Sequence, residues 1–577
     1  MRAIFLGLLL LATQAFAAID FKKEQIIYEG DAYVFDNSKR FEKYLMHGDF
    51  GLVDNYLWTL SKSGSGVAIK NVMTKNFLSA KPIEREGKQF ATYTKGKGDA
   101  FVLEEKDGKY LIKTGKLYLA KSSFKGNNYL EFVPKEKASL WNIETKPEYP
   151  RLKDAVLLYQ TPSKDSYYRI PAIASANDGT LLALADERYG TGLDLGQYCA
   201  HPNGHKIDVI LKRSKDFGLS FSHKINLTAK YSKDGSEHSD ALGFGDPAVV
   251  ADRDSDDVLV LAAGGGVRFQ DSTKSNRIKV FRLLSKDGGN SFSAPEDITD
   301  AIYSNDDDWV SLFVASGRVM QSRYIKQGSH YRIYTAILTR SASHKRYDNY
   351  ILFSDDFGST WRVLGGKAAV EGGDEAKIEE LPNGNVLITS RVHKGRKVNI
   401  FSYSDETMEN GSFGEGKHLA LGDGSATNGE VMIVYAKERA SGEYVYLLMQ
   451  SLPALNSKRE GVSIFYKKLD PKTASVDELL EGWDPSDVFL VQKHTSAYST
   501  MTLQEDGNLG FFYEDRESPG YDLIYLNLDL ATVTNGKYEM AFTGIGSEKK
   551  PFILKSEEDK AAKDAIFARE KPHFRAK

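Results

Sequence analysis

The chain has 577 residues, 76 basic and 79 acidic side chains for a formal net charge of −3, and one cysteine, Cys199. Charges of both signs are interspersed, which argues against a nucleic-acid or membrane-surface protein held by a basic face. A single thiol rules out an internal disulfide, so a large core must stabilise the fold.

Residues 1–18 read as an export signal. Arg2 supplies the positive end, Ile4 to Ala12 form an apolar run, and Ala15-Phe16-Ala17 is a small-x-small cleavage site, with cutting expected near Ala17 or Ala18. The run is far short of the ~20 residues that a spanning helix needs. No later segment is apolar enough to cross a bilayer, so the expected product is secreted, periplasmic or at the cell surface of a bacterium. The lone cysteine fits bacterial export better than a disulfide-rich ectodomain.

Fifty glycines, 31 tyrosines and 30 phenylalanines, with few long helical patterns, predict an all-β protein rich in turns. Residues 19–150 carry a weak repeat. Leu57-Trp58-Thr59-Leu60, Phe101-Val102-Leu103 and Leu140-Trp141-Asn142-Ile143 recur about every 40 residues, a period expected of one supersecondary unit used three times. Between them lie Tyr44-Leu45, Phe77-Leu78 and Tyr118-Leu119, each closing a hairpin-like stretch. The segment resembles a β-trefoil lectin module that would bind carbohydrate. A jelly-roll module and a β-rich spacer without ligand stand as alternatives. Lys146-Pro147-Glu148-Tyr149-Pro150 is a stiff polar linker that ends this region.

From 151 to 545 a sharper motif recurs, Ser-x-Asp-x-Gly-x-Ser/Thr-aromatic. It occurs at Ser214 to Phe221, Ser285 to Phe292 and Ser354 to Trp361, spaced 71 and 69 residues apart, with a degenerate copy from Ser404 to Phe413. The Asp accepts from turn N–H groups, Gly supplies positive φ, and the aromatic plugs between neighbouring sheets. These resemble Asp boxes, which lie at blade hairpins of a β-propeller and are structural. Residues 546–577 are a charged tail with no assigned role. His201 and His205 are four apart, but Pro202 and Gly204 oppose a helical pairing. No metal or organic cofactor is expected.

The chemistry is carried by a second set of segments. Tyr168-Arg169-Ile170-Pro171-Ala172 opens the region; taken alone, it is a strand-opening proline beside an arginine. Leu387-Ile388-Thr389-Ser390-Arg391 follows a turn and a strand, and Leu452-Pro453 leads to Lys458-Arg459. Gly373-Asp374-Glu375-Ala376-Lys377 precedes Arg391 by 16 residues, counted from Glu375. Ser496-Ala497-Tyr498-Ser499-Thr500-Met501 precedes Phe511-Phe512-Tyr513-Glu514. Asp186-Glu187-Arg188 ends a strand, and Asp194 follows on a loop.

On these segments, residues from about 155 to 530 resemble the bacterial exo-α-sialidase family. The resemblance implies a six-bladed β-propeller that removes terminal sialic acid from glycans, glycoproteins or glycolipids with retention of configuration. It implies that Arg169, Arg391 and Arg459 bind the substrate carboxylate, that Arg188 contacts substrate, and that Glu514 holds an arginine in place. Guanidinium forks suit that task, because they engage a carboxylate through two parallel bonds. Tyr498 would be the nucleophile and Glu375 its base. A neutral phenol escapes the repulsion a carboxylate would meet at a carbon already bearing one, but with an ordinary pKa near 10 it needs a base beside it. Tyrosine nucleophiles are the known exception among glycosidases.

The resemblance places the general acid on Asp194, with Asp208 as rival, because Gln197 to Lys206 look like an insertion in the family pattern. Gly245-Asp246-Pro247 is either a rim contact or a turn. A trans-sialidase would keep every residue named, and a non-catalytic sialoglycan-binding propeller would keep the arginines.

Overall fold

The computed structural model describes residues 19–541 apart from 20, 24, 30–31, 37–44, 49–56, 73, 125–126, 146–154, 162–165, 190–193, 197–205, 233–242, 345, 406–407, 409, 423–426, 456–458 and 517–519. The expected export signal, linker and charged tail lie outside the described residues, as do Cys199, His201 and His205. The chain divides between Glu148 and Tyr149 into two compact units. No helix among the described residues is long and apolar enough to cross a membrane.

The first unit has twelve strands: β1 (Gln25–Glu29), β2 (Ala32–Phe35), β3 (Met46–Gly48), β4 (Leu57–Ser63), β5 (Gly66–Asn71), β6 (Phe77–Arg85), β7 (Lys88–Thr94), β8 (Val102–Lys106), β9 (Lys109–Thr114), β10 (Leu117–Phe124), β11 (Asn127–Val133) and β12 (Asn142–Thr145). Six of them close a barrel in the order β1, β4, β5, β8, β9, β12 and back to β1. The bridges Val67 to Phe101 and Tyr110 to Trp141 make two of its seams. The pairs β2–β3, β6–β7 and β10–β11 form three hairpins. This is the arrangement of a β-trefoil. The repeat falls where threefold symmetry requires it, since Trp58, Phe101 and Trp141 lie at β4, β8 and β12 and are all buried in one core. Trp58 Nε1 donates to the Val34 carbonyl at 3.0 Å, and Trp141 Nε1 to the Leu119 carbonyl at 3.1 Å.

One equivalence in the repeat needs correcting. Leu78 and Leu119 lie on β6 and β10, and their counterpart is Val34 on β2, not Leu45. Leu45 instead matches Ala91 and Leu130, to which its backbone is bonded at 2.9 and 3.0 Å. The longer connection between β2 and β3 displaces the first copy along the sequence, which hides its register.

The second unit is a six-bladed propeller whose sheets are antiparallel apart from one short parallel pairing, Ala248 and Val249 with Gly317 and Arg318. The first strands of the blades are Ser166–Ser175, Gly243–Ala251, Trp309–Val314, Ala376–Glu380, Val431–Glu438 and Ser496–Leu503. Their blades are built from near-continuous apolar strands, because both faces of each sheet are covered by neighbours. Leu182, Leu184 and Leu211 of the first blade, for example, share a core with Val258, Val260 and Phe281 of the second. The ring closes with an early strand: Val156–Tyr159 pairs with Asp522–Leu528 and forms the outer edge of the sixth blade.

The three Ser-x-Asp turns have one geometry. In the first, Ser214 Oγ donates to Asp216 Oδ1 at 2.7 Å, and Gly218 N donates to Ser214 Oγ at 2.8 Å. Ser220 donates to Asp216 from both N and Oγ, at 2.9 and 2.5 Å. The bonds around Asp287 and Asp356 repeat it. Gly218, Gly289 and Gly358 have φ of 86°, 80° and 88°, and each backs onto the preceding blade. A β-carbon there would lie 1.9 Å from Tyr525, 2.7 Å from Leu182 or 2.6 Å from Leu259, so glycine is needed for contact as well as for φ. These turns end the third strands, whereas the residues of the chemical set sit at the starts of first strands and the ends of second strands. The two sets therefore occupy opposite faces of the propeller.

Candidate active site

Three bulges shape the site. The first strands of blades one, two and six each slip register, between Arg169 and Ala172, between Gly245 and Ala248, and between Ser496 and Ser499. A bulge re-aims the side chains it carries, and here these include Arg169, Asp246 and Tyr498. Ile170 has φ of 61° and Asp246 has φ of 53°. For a β-branched residue such as Ile170 that is a strained conformation, held only because its surroundings fix it.

Glu514 is what fixes it. Its carboxylate is fully buried and accepts from Arg169 Nε at 2.6 Å, from Ile170 N at 2.9 Å and from Tyr498 N at 3.2 Å. One carboxylate thus clamps two bulges together and aims Arg169. The Arg169 guanidinium stacks over the rings of Tyr521 and Tyr498, at 4.9 and 5.3 Å.

Tyr498 lies on a small apolar patch with Ile170, Ala497 and Tyr521. Its hydroxyl donates to Glu375 Oε2 at 2.6 Å. Arg391 Nη1 donates to the same carboxylate oxygen at 2.6 Å and to the phenol oxygen at 2.9 Å. Glu375 is aligned by its backbone, whose carbonyl accepts from Arg391 N at 2.8 Å. Asp374 lies 3.4 Å from Arg391 Nε. Arg459 stands on the other side, its guanidinium 5.6 Å from the Tyr498 ring centre, with no carboxylate partner among the described residues. Burial pushes the Tyr498 phenol well above its ordinary range and Glu375 adds to this, while the three arginines oppose it. The free phenol is therefore held neutral, with its proton pointed at a carboxylate.

Arg188 and Asp194 form a second cluster. Arg188 is buried, donating to Asp186 Oδ2 from Nε at 3.1 Å and Nη2 at 2.9 Å, and pairing with Asp194 through Nη1. Asp194 is exposed on its loop, with 64% of its side-chain surface accessible. The Arg188 charge holds the Asp194 carboxyl below the usual range, and Arg169 and Arg459 lower it further. Both charged faces of Arg188 are occupied by carboxylates in this structure.

Asp208 is elsewhere. It is fully buried and accepts from Tyr189, Asn226, Thr228 and Ser232 at 3.2, 3.1, 3.1 and 2.6 Å. That is a scaffold carboxylate with its acceptor sites filled.

The structure thus brings Arg169, Arg391, Arg459, Tyr498, Glu375 and Glu514 together, with Asp194 beside them on Arg188. It also adds residues that sequence reasoning set aside. Asp246 donates its backbone N–H to Asp186 at 2.9 Å, and burial and the Asp186 charge push its carboxyl well up. Burial likewise raises Asp186 to about 6, against the pull of Arg188. The signal for Asp246 was present: Ile170-Pro171-Ala172 and Asp246-Pro247-Ala248 occupy the same bulge in consecutive blades. Asp374 also lines a cleft of about 510 Å³ with Tyr347, Arg391 and His393. Among the described residues no group of His, Cys, Asp and Glu is arranged to hold a metal ion.

No family model matches the chain. It is 29% identical over 380 residues to the sialidase of Micromonospora viridifaciens, covering 63% of this chain and 52% of that protein. It is 26% identical over 360 residues to the sialidase of Bacteroides fragilis, covering 60% of each. The chain thus spans about half to three-fifths of the length of these curated relatives. Among solved structures, the intramolecular trans-sialidase from Ruminococcus gnavus in complex with oseltamivir carboxylate has a similar fold. The TM-score is 0.52 at 15% identity, covering 66% of this chain and 98% of that one.

Proposed function

We propose that this chain, similar to curated bacterial sialidases, is an exported exo-α-sialidase that hydrolyses terminal sialic acids from glycans, glycoproteins and glycolipids. The observation that carries the proposal is the Tyr498 hydroxyl bonded to Glu375, with Arg391 on both oxygens.

Arg391 and Arg459, joined by Arg169, take the substrate carboxylate and set its anomeric carbon over the phenol. In the first step the Tyr498 O–H bond breaks and its proton passes to Glu375. The oxygen forms a bond to the anomeric carbon, and the departing glycosidic oxygen takes a proton from Asp194. In the second step Asp194 removes a proton from water, the water oxygen replaces the tyrosine, and Glu375 returns its proton. Two displacements retain configuration. Asp194 must carry a proton before the first step, although Arg188 favours its charged form in the free site. A bound substrate carboxylate offsets the arginine charges and covers the loop from water, and both changes favour the protonated acid.

Release of sialic acid from α2,3- and α2,6-sialyllactose by the purified protein tests this. Free sialic acid is the expected product. Transfer to added lactose, or an anhydro sugar in place of the free acid, would make it a trans-sialidase. Binding without turnover would make it a sialoglycan-binding propeller.

A further inference from the structure

Arg396 is a buried guanidinium with no carboxylate within ion-pair distance among the described residues. Its Nη1 donates to the Thr427 carbonyl at 2.9 Å and its Nη2 to the Thr389 carbonyl at 2.8 Å, while Nε has no acceptor. Backbone dipoles solvate it, but they do not neutralise it. Burying an unpaired charge is costly, and burial lowers this guanidinium to about 10. The sequence tolerates that cost beside one feature, the base of the proposed reaction.

The placement follows from register. Arg391 pairs with Arg396 across two strands of blade four, and Arg391 N bonds to the Glu375 carbonyl on its other side. Glu375, Arg391 and Arg396 therefore form a cross-strand row with side chains on one face. Several charged groups surround Glu375. Tyr498 and Arg391 bond to it directly. Asp374 and Asp246 crowd it with negative charge, and Lys377 and Arg396 stand as buried cations. Lys377 is already shared with Glu430 at 3.8 Å, and Glu375 is the acidic charge that most favours Arg396 in its ionised form.

We propose that Arg396 is a positioning residue whose buried charge, standing behind the Glu375–Arg391 pair, keeps Glu375 ionised against the carboxylates around it and the one the substrate brings. The proposal rests on the sialidase reading. Glu375 can accept the Tyr498 proton only as a carboxylate, and an incoming sialic acid adds another negative charge to a site already holding Asp374 and Asp246. Arg396 counters that without touching the ligand.

The test is the pH dependence of kcat/KM on an aryl sialoside for wild type, Arg396→Gln, Arg396→Met and Arg396→Lys, with a melting curve for each. The folded neutral variants should move the acid limb upward by about one pH unit, about a tenfold loss at a fixed pH on that limb. At neutral pH they should turn over within about threefold of wild type, well under one such unit. Arg396→Lys should restore the wild-type limb. A folded Arg396→Gln with an unmoved limb, or a Lys variant as shifted as the Gln one, would overturn the inference and leave the sialidase reading intact. A wild-type chain with no turnover would overturn both. If none of the variants folds, Arg396 serves the fold and the proposal fails.

Discussion

The Tyr498 hydroxyl and the Glu375 carboxylate, 123 residues apart in the chain, meet at 2.6 Å. They come from blades six and four, and each is fixed from behind: Tyr498 by the Glu514 bond to its backbone, Glu375 by its pairing with Arg391. Arg391 prevents the carboxylate from rotating away, because it holds the same oxygen that receives the phenol proton. A phenol pushed well above its ordinary range cannot ionise on its own at neutral pH. In the proposed reaction, proton transfer and bond formation therefore proceed together, which is what so short a contact permits.

Tyr498→Phe removes the proposed nucleophile and its proton while keeping the ring that Arg169 and Arg459 face. Turnover of sialyllactose should fall by orders of magnitude while binding of a sialic acid analogue survives. Near wild-type hydrolysis by the folded variant would remove Tyr498 from the mechanism.

The arginines should separate by what they already hold. Arg391 is bonded to Glu375 and Tyr498, whereas Arg459 has no carboxylate partner among the described residues. Replacing either with lysine keeps the charge but loses the fork, weakening sialic acid binding by about 1–3 kcal/mol. Only Arg391→Lys should also slow the chemical step at saturating substrate, because it frees Glu375 to rotate. Equal kcat losses in calorimetrically bound, saturated variants would show that the Glu375 contact does not matter.

Much of this site was legible because its residues sit in local contexts that carry their own geometry. The Ser-x-Asp turns announce themselves through glycines that must face a neighbouring blade, and Arg169 and Tyr498 sit near the starts of first strands while Arg391 ends a second strand. Asp246 was harder, since Gly-Asp-Pro is also an ordinary turn, and only a bulge equivalent to the one at Ile170 re-aims it. Sequence favours Asp194 over Asp208 only through its loop position, since both are carboxylates near an insertion. What separates them is that Asp208 meets four hydroxyl or amide donors from its own blade, a set no short motif encodes. In the trefoil, Trp58, Phe101 and Trp141 were visible as large buried anchors. Leu45 misled because a long connection before β3 slides an apolar residue into the wrong phase.

Glu380 offers a check on the propeller's electrostatics away from the site. It accepts from Ser322 Oγ at 2.6 Å and Arg323 N at 2.5 Å, and burial raises its carboxyl to about 7, against the pull of Arg323. Between its ordinary unfolded value near 4.3 and about 7, the folded chain binds more protons than the unfolded one. Its contribution to stability must therefore fall as pH rises through that window and level off above it. Glu380→Gln cannot titrate. The melting temperature of the variant relative to wild type should climb from pH 5 to pH 8. A difference independent of pH would mean that Glu380 is already ionised at pH 5.

The last prediction concerns the acid. If Asp194 protonates the glycosidic oxygen, Asp194→Ala should slow sialyllactose far more than an activated aryl sialoside, whose phenol departs without a proton. Added azide should partly restore the second step on the aryl substrate, because an anionic nucleophile needs no base. The alanine variant should keep its fold, since the side chain is exposed and pairs with Arg188, which retains Asp186. Asp208→Ala should behave in the opposite way. It leaves Tyr189, Asn226, Thr228 and Ser232 without a buried acceptor, so melting temperature should drop with no dependence on the leaving group. A leaving-group dependence in Asp208→Ala and none in Asp194→Ala would transfer the acid role. It would also require the buried carboxylate to leave four hydrogen bonds to reach the substrate.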